Sequence, residues 1–228
     1  MTRSTVSVVR IFRLVFSVGL VALVCLVVPA RAEVVLSNLT EELGGADQVN
    51  GGLWHASSFV TNAQAWTLTS ATLEFDTASN TSGNLFVNVY SNATDRPGSS
   101  LGTLSGSDNP ASAGQYTYTS NGISLDPSTT YWLVAGVSSG SGNYRWFDTY
   151  PTTSTGVWSI PSTNTYARST DAGSTWGSAN NYPYLFSIEA TATAPSSVPE
   201  IDPNSLGSVL ALVLGSLGLL ERRRLKAA

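Results

Sequence analysis

From Trp66 the chain alternates: Trp66 and Leu68 interleave with Thr67 and Thr69, then Ala71, Leu73 and Phe75 with Thr72, Glu74 and Asp76. A period of two puts one set of side chains on a buried face and the other in water, so residues 65–76 predict a half-buried strand. Shorter runs at 34–36, 54–60, 115–119, 123–125, 144–148, 156–160, 166–169 and 184–193 also read as strands. Residues 85–90 have only Asn88 as a polar member, so they lie more centrally. Residues 130–137, from Thr130 through Tyr131, Trp132, Leu133 and Val134 to Val137, are the longest apolar run and the candidate central strand.

Turn formers separate these runs. Gly44-Gly45 and Gly51-Gly52 mark an open loop, Asp95-Arg96-Pro97-Gly98 a turn, residues 102–114 a long loop, and Asn121-Gly122 a two-residue hairpin of type I′. Asp126-Pro127-Ser128 and residues 138–142 turn the chain again, and Pro151 and Pro161 limit the strands beside them. No amphipathic helix interrupts the pattern from 33 to 194. Some ten strands without a helical crossover predict an all-β fold, an antiparallel two-sheet sandwich of jelly-roll type.

Both ends of the chain depart from this pattern. Arg3, Arg10 and Arg13 precede an apolar run from Leu14 to Val28 and then Pro29-Ala30-Arg31-Ala32. That order predicts a secretory signal peptide over 1–32, cut before Glu33. The only cysteine, Cys25, would leave with it, so the mature protein would carry no thiol, no disulfide and no zinc-thiolate site. At the other end eighteen uncharged residues separate Asp202 from Glu221. As a helix they span about 27 Å, close to a hydrocarbon core of roughly 30 Å. Arg222, Arg223, Arg224 and Lys226 follow, a basic cluster that keeps that end in the cytoplasm and the rest outside. Within the helix Gly207, Ala211 and Gly215 recur every four residues, a small-residue face that permits close helix contact. The expected plan is a signal peptide at 1–32, an ectodomain at 33–194, a linker with a Val-Pro-Glu box at 195–202, a transmembrane helix at 203–221 and a basic tail at 222–228.

Val198-Pro199-Glu200, the Gly-containing apolar helix and the terminal Arg cluster, in that order, resemble the PEP-CTERM sorting signal of bacterial surface proteins. With Ile201-Asp202 where family members usually carry Pro, the chain looks like the Val-Pro-Glu-Ile-Asp variant. The resemblance implies recognition by an exosortase-type membrane protease-transpeptidase, removal of the helix, and release or transfer of the ectodomain to the cell surface. A membrane anchor that is never cut is the plainer alternative. Residues 65–71, 88–92 with Pro97-Gly98, 125–134 and 176–192 are similar to the choice-of-anchor R family, whose domains sit on different surface anchors and have no established activity.

Charge narrows the choice of partner. Eight of the eleven basic residues belong to the two targeting segments, so residues 33–194 hold Arg96, Arg145 and Arg168 against twelve carboxylates, a balance of −9. Nucleic acid is excluded as a partner, because phosphate binding rests on clustered Lys and Arg.

Candidate chemistry is sparse. Ser169-Thr170-Asp171-Ala172-Gly173-Ser174-Thr175-Trp176 fits an Asp-box, a hairpin device in which Asp171 caps the turn, Gly173 takes a positive φ and Trp176 packs beneath. His55 is the only histidine, which excludes a multi-histidine metal site, and no Gly-x-Ser-x-Gly elbow accompanies it, so it reads as a packed or surface residue. Glu74 and Asp76 share a strand face at a spacing a glycosidase pair allows, although alternation alone puts them there. The loop carboxylates Asp47, Asp95, Asp108, Asp126 and Asp148 are oxygen donors of the kind calcium takes, without Asp-x-Asp-x-Asp spacing, and no other cofactor is expected.

Trp66, Trp132 and Trp176 are placed like core residues or hairpin anchors. Tyr144, Trp146, Phe147, Tyr150 and Trp158 lie near loops and form the set expected to be exposed, and with Arg145 they are the candidate ligand-binding residues. The sequence thus points to an exported surface protein, not an enzyme, whose ectodomain is a binding or structural module for extracellular polysaccharide, matrix or a surface partner. The alternative is an extracellular hydrolase acting on glycans.

Overall fold

The computed structural model describes residues 31–177 and 181–193. The sorting box, the membrane helix, the basic tail and all but the last two residues of the signal peptide lie outside them. Among the described residues no helix is long and apolar enough to cross a membrane. Eleven strands follow in chain order: β1 (Glu33–Ser37), β2 (Gly45–Val49), β3 (Trp54–Val60), β4 (Trp66–Asn80), β5 (Gly83–Asn92), β6 (Pro97–Leu104), β7 (Gly114–Leu125), β8 (Thr130–Gly140), β9 (Asn143–Asp148), β10 (Tyr166–Ser169) and β11 (Phe186–Ala192). All pairings are antiparallel. One sheet runs β1-β11-β4-β9-β2 with β7 also on β4, and the other runs β10-β3-β8-β5-β6. The protein is all-β, a two-sheet, sandwich-like fold.

The two alternating runs of β4 are out of phase, and the pairing gives the reason. Thr69 has no partner in the register with β11, where Leu68 faces Ala190 and Ser70 faces Glu189. The extra residue is a β-bulge that returns Ala71, Leu73 and Phe75 to the buried face already occupied by Trp66 and Leu68. On the other side of β4 the residues between Thr119 and Ile123 of β7 bulge at the same level. Asn121-Gly122 therefore sits in an irregularity of one continuous strand, and the expected hairpin is corrected. Gly122 takes φ +95° there, and Ser120 Oγ accepts from the Gly122 and Ile123 amides, both at 3.1 Å.

Other expectations shift for similar reasons. The supposed open loop between the glycine pairs contains β2, held by β9. The turn expected over Asp95-Arg96-Pro97-Gly98 is centred earlier, with Thr94 and Asp95 at φ of 51° and 62°, so Pro97 opens β6 and the loop expected from 102 begins only after Leu104. Residues 156–160 form no strand; isolated bridges join Thr155 to Ser37 and Ser159 to Val60.

The core lies between the sheets: Leu68, Leu73 and Phe75 of β4 share one buried cluster with Phe59 of β3 and Leu133 and Ala135 of β8. A second cluster covers the opposite face of β3 and β8, where Trp132 and Val134 pack with Ala56, Ala167 and Trp176. Buried on both faces at the centre of its sheet, β8 is apolar from Tyr131 to Val137.

Candidate functional site

Two strand pairs at sheet ends build the site, β2 with β9 in one sheet and β3 with β10 in the other. In β2, Val49 is a core residue, so alternation aims Asp47 inward beside it, opposite Trp146 of β9. In β3, His55 lies on the inward side with Phe59 and is 1% exposed. Between them comes Tyr184, which an isolated bridge ties to Asp148 just ahead of β11. Its ring stacks on Trp146 at 4.4 Å and meets His55 edge-on at 5.4 Å.

These groups form a hydrogen-bonded chain. Tyr184 Oη donates to Asp47 Oδ2 at 2.7 Å and lies 2.6 Å from His55 Nδ1, while His55 Nε2 donates to the Gln48 carbonyl at 2.8 Å. Burial pushes His55 down to about 4, against the opposing pull of Asp47 and the Gln48 carbonyl. Burial first, then neighbouring Tyr166 and the Asp47 charge, holds the Tyr184 phenol well above its ordinary range. Asp148 is raised by burial and by Asp47, with the Gly45 amide acting the other way.

Outside the chain opens a cavity of about 220 Å³ lined by Asp47, Asp148, Tyr166 and Tyr182. Tyr182 and Tyr150, 47% and 64% exposed, stand edge to face at 5.3 Å. Gly44 packs against both Asp148 and Tyr150: a Cβ there would come 2.5 Å from Asp148 Oδ1 and 3.1 Å from Tyr150 Cε2. A larger open hollow of about 470 Å³ runs past Ser91, Leu101, Asp126 and Ser128. Its one aromatic, Tyr131, is buried and its hydroxyl accepts from the Asp126 amide, so no ring face is free there. The smaller cleft carries the chemistry.

The expected ligand patch is corrected. Tyr144, Trp146 and Trp158 are core residues, 0%, 0% and 3% exposed, because β9 alternates and turns residues 144 and 146 inward, while Trp158 stacks on Phe59 at 5.6 Å. Arg145 points outward but is engaged, with Nη1 2.9 Å from Asp76 Oδ2 and Nη2 donating to the Ala46 carbonyl. Of that set only Tyr150 stands beside the cleft, through its ring contact with the lining residue Tyr182. Asp76 thus answers Arg145, and Glu74 accepts from Gln115 Nε2 at 3.3 Å. Asp47 and Asp148 come together, but among the described residues no three His, Cys, Asp or Glu side chains gather to hold a metal ion.

In the Asp-box, Asp171 Oδ1 accepts from the Thr175 amide and from Ser169 Oγ, each at 2.8 Å, and Asp171 Oδ2 accepts from Thr175 Oγ1 at 2.6 Å. Gly173 has φ +81°, and Trp176 is 9% exposed in the outer cluster. The sorting box Val198 to Asp202 and the basic residues 222–226 lie outside the described residues.

Among the cleft residues the sequence marked only Asp47 and Asp148, as scattered oxygen donors, and Tyr166, Tyr182 and Tyr184 carried no local signal. A lone Asp, a lone His and a Tyr beside Pro183 become a group only when the edge strands meet. Compared with known proteins, the chain matches no family model and no curated protein.

Proposed function

We propose that this chain is an exported bacterial surface protein whose ectodomain is a non-catalytic glycan-binding module, displayed through a PEP-CTERM-like C-terminal signal read by an exosortase-type enzyme. The observation that carries the binding reading is the cleft: two carboxylates, the exposed Tyr182 ring among the lining residues, and the exposed Tyr150 ring packed beside it. Sugar rings lay their C–H faces on aromatic rings and donate hydroxyl hydrogens to carboxylates, so this combination suits a saccharide. At about 220 Å³ the cavity is smaller than the roughly 300 Å³ lower end of small-molecule pockets, which suits the end or one unit of a chain. The strand orders β1-β11-β4-β7 and β3-β8-β5-β6 support the jelly-roll reading of the fold.

Screening the mature protein on a glycan array tests the module. Tyr150→Ala and Tyr182→Ala are each expected to weaken binding about fivefold, in line with the loss of roughly 1 kcal/mol of ring contact. Both rings are largely exposed, so melting temperature should stay put. No saccharide retained at millimolar concentration would remove this reading. Mass spectrometry of the mature termini tests the sorting half: ends at Glu33 and near Pro199 are expected.

A specific observation keeps the hydrolase alternative in play, since Asp148, raised by burial and by Asp47, would suit a general acid beside a second carboxylate. Release of reducing sugar that disappears in Asp148→Asn would favour it. The binding reading is preferred because Asp47 is already held by Tyr184 and Asp148 by the Gly45 amide.

A further inference from the structure

The chain from Asp47 through Tyr184 and His55 to Gln48 makes three contacts, at 2.7, 2.6 and 2.8 Å, and each needs a hydrogen. The Gln48 carbonyl can only accept, so the hydrogen on His55 Nε2 is spent there and a neutral ring leaves Nδ1 as an acceptor. Tyr184 has one hydrogen, which can serve Nδ1 or Asp47 Oδ2, not both. An ionised Asp47 with a neutral His55 therefore supplies two hydrogens for three contacts. One more proton completes the set, either on Nδ1, which then donates to Tyr184 Oη, or on Asp47, which then donates to Tyr184 Oη while Tyr184 donates to Nδ1.

We infer that this chain is a proton latch on the cleft: taking up one proton joins β2, β3 and the segment before β11 through Tyr184, and losing it breaks one of the three contacts. The latch borders the cleft. Asp47 lines it directly, and His55 lies against Tyr166, another lining residue, with ring centroids 5.8 Å apart. On proton loss the ionised Asp47 is the stronger acceptor and keeps the Tyr184 hydrogen, so the Tyr184–His55 contact is the one that parts.

The charged and titratable groups around the latch are Asp47 on β2, Asp148 on β9, Tyr166 and Arg168 on β10, and Tyr184. Asp47 and Arg168 act on His55 in opposite senses. Because the added proton is shared, its step belongs to the pair.

The latch stands on the geometry of the chain; only its consequence for binding rests on the glycan reading. The test follows the single histidine of isotope-labelled mature protein by NMR from about pH 4 to 8, the span in which imidazole switches occur. A joint transition of the His55 ring nitrogens and the Asp47 carboxyl carbon is expected. Tyr184→Phe, which keeps the ring and removes Oη, should split it into separate steps. Asp47→Asn is the stronger variant, because its amide donates to Tyr184 without an added proton and should hold the latch closed at every pH. Ring signals flat across the whole range in the native protein, an unchanged joint transition in Tyr184→Phe, or a His55 ring transition that keeps its native midpoint in Asp47→Asn would each overturn the inference. For a saccharide found on the array, affinity should fall about tenfold per pH unit above the transition, following the closed fraction, and stay level in Asp47→Asn. If no saccharide binds while the ring titrates jointly, the glycan reading fails and the latch stands.

Discussion

A buried neutral imidazole makes stability depend on pH with a definite sign. In the unfolded chain His55 takes its proton at the ordinary 6.5, whereas in the folded chain burial lowers that value to about 4. The folded pKa is depressed, so the unfolded state binds more protons between the two values. The stability tied to the neutral ring is complete above about 6.5 and is lost as pH falls toward 4. The displacement corresponds to at most about 3 kcal/mol, less where the shared proton enters the folded chain earlier. Urea denaturation at steps from pH 7 to 4.5 should show this decline, and His55→Gln should lose the histidine share of the slope. An equal slope in both proteins would mean that other groups govern acid sensitivity.

Among the elements, the Asp-box joins local chemistry to the outer face of a sheet. Asp171 gathers hydrogen bonds from Ser169 and Thr175, and these hold its carboxyl below the usual range, first through the Thr175 hydroxyl. Its contribution is present at neutral pH and is lost as pH falls through the lowered value, so Asp171→Ala should reduce the melting temperature at pH 7 and matter less in acid. Gly173 is the harder constraint: at φ +81° a Cβ would come 2.3 Å from Trp54 Cζ3. Left-handed strain of about 1–2 kcal/mol plus overpacking of about 1–3 kcal/mol puts the expected cost of Gly173→Ala above about 2 kcal/mol by chemical denaturation.

What made this device readable was its locality: cap, glycine and tryptophan fall within eight residues, Ser169 to Trp176. The alternation of β4 and the apolar run of β8 were readable for the same reason. Asn121-Gly122 misled because a bulge and a hairpin share the same local sequence, and only the pairing with β4 decides between them. Tyr144 and Trp146 misled because nearness to loops says little against the period of a strand. The grouping of the cleft was out of reach, even though Asp47, Asp148 and Tyr150 each stand out singly, since Tyr184 meets Asp47 across 137 positions and His55 across 129.

For the whole molecule, topology sets where the cleft stands relative to the chain ends. Glu33 of β1 pairs with Ala190 of β11, so the start of β1 and the finish of β11 lie side by side. Tyr184 and the cleft are at the other end of β11, and eight residues at about 3.3 Å each put them roughly 26 Å from Ala192. The proposed anchor follows Ala192, at the end of β11 opposite the cleft. The mature chain would also lack any thiol once Cys25 is removed, so one introduced cysteine reports location without background. Thr153 is exposed and three residues from Tyr150, which makes Thr153→Cys a suitable probe. On intact cells a membrane-impermeant maleimide should label this variant as completely as it does after lysis. Labelling that needs lysis would place the domain inside and end the surface reading, while leaving the cleft and its latch as they are.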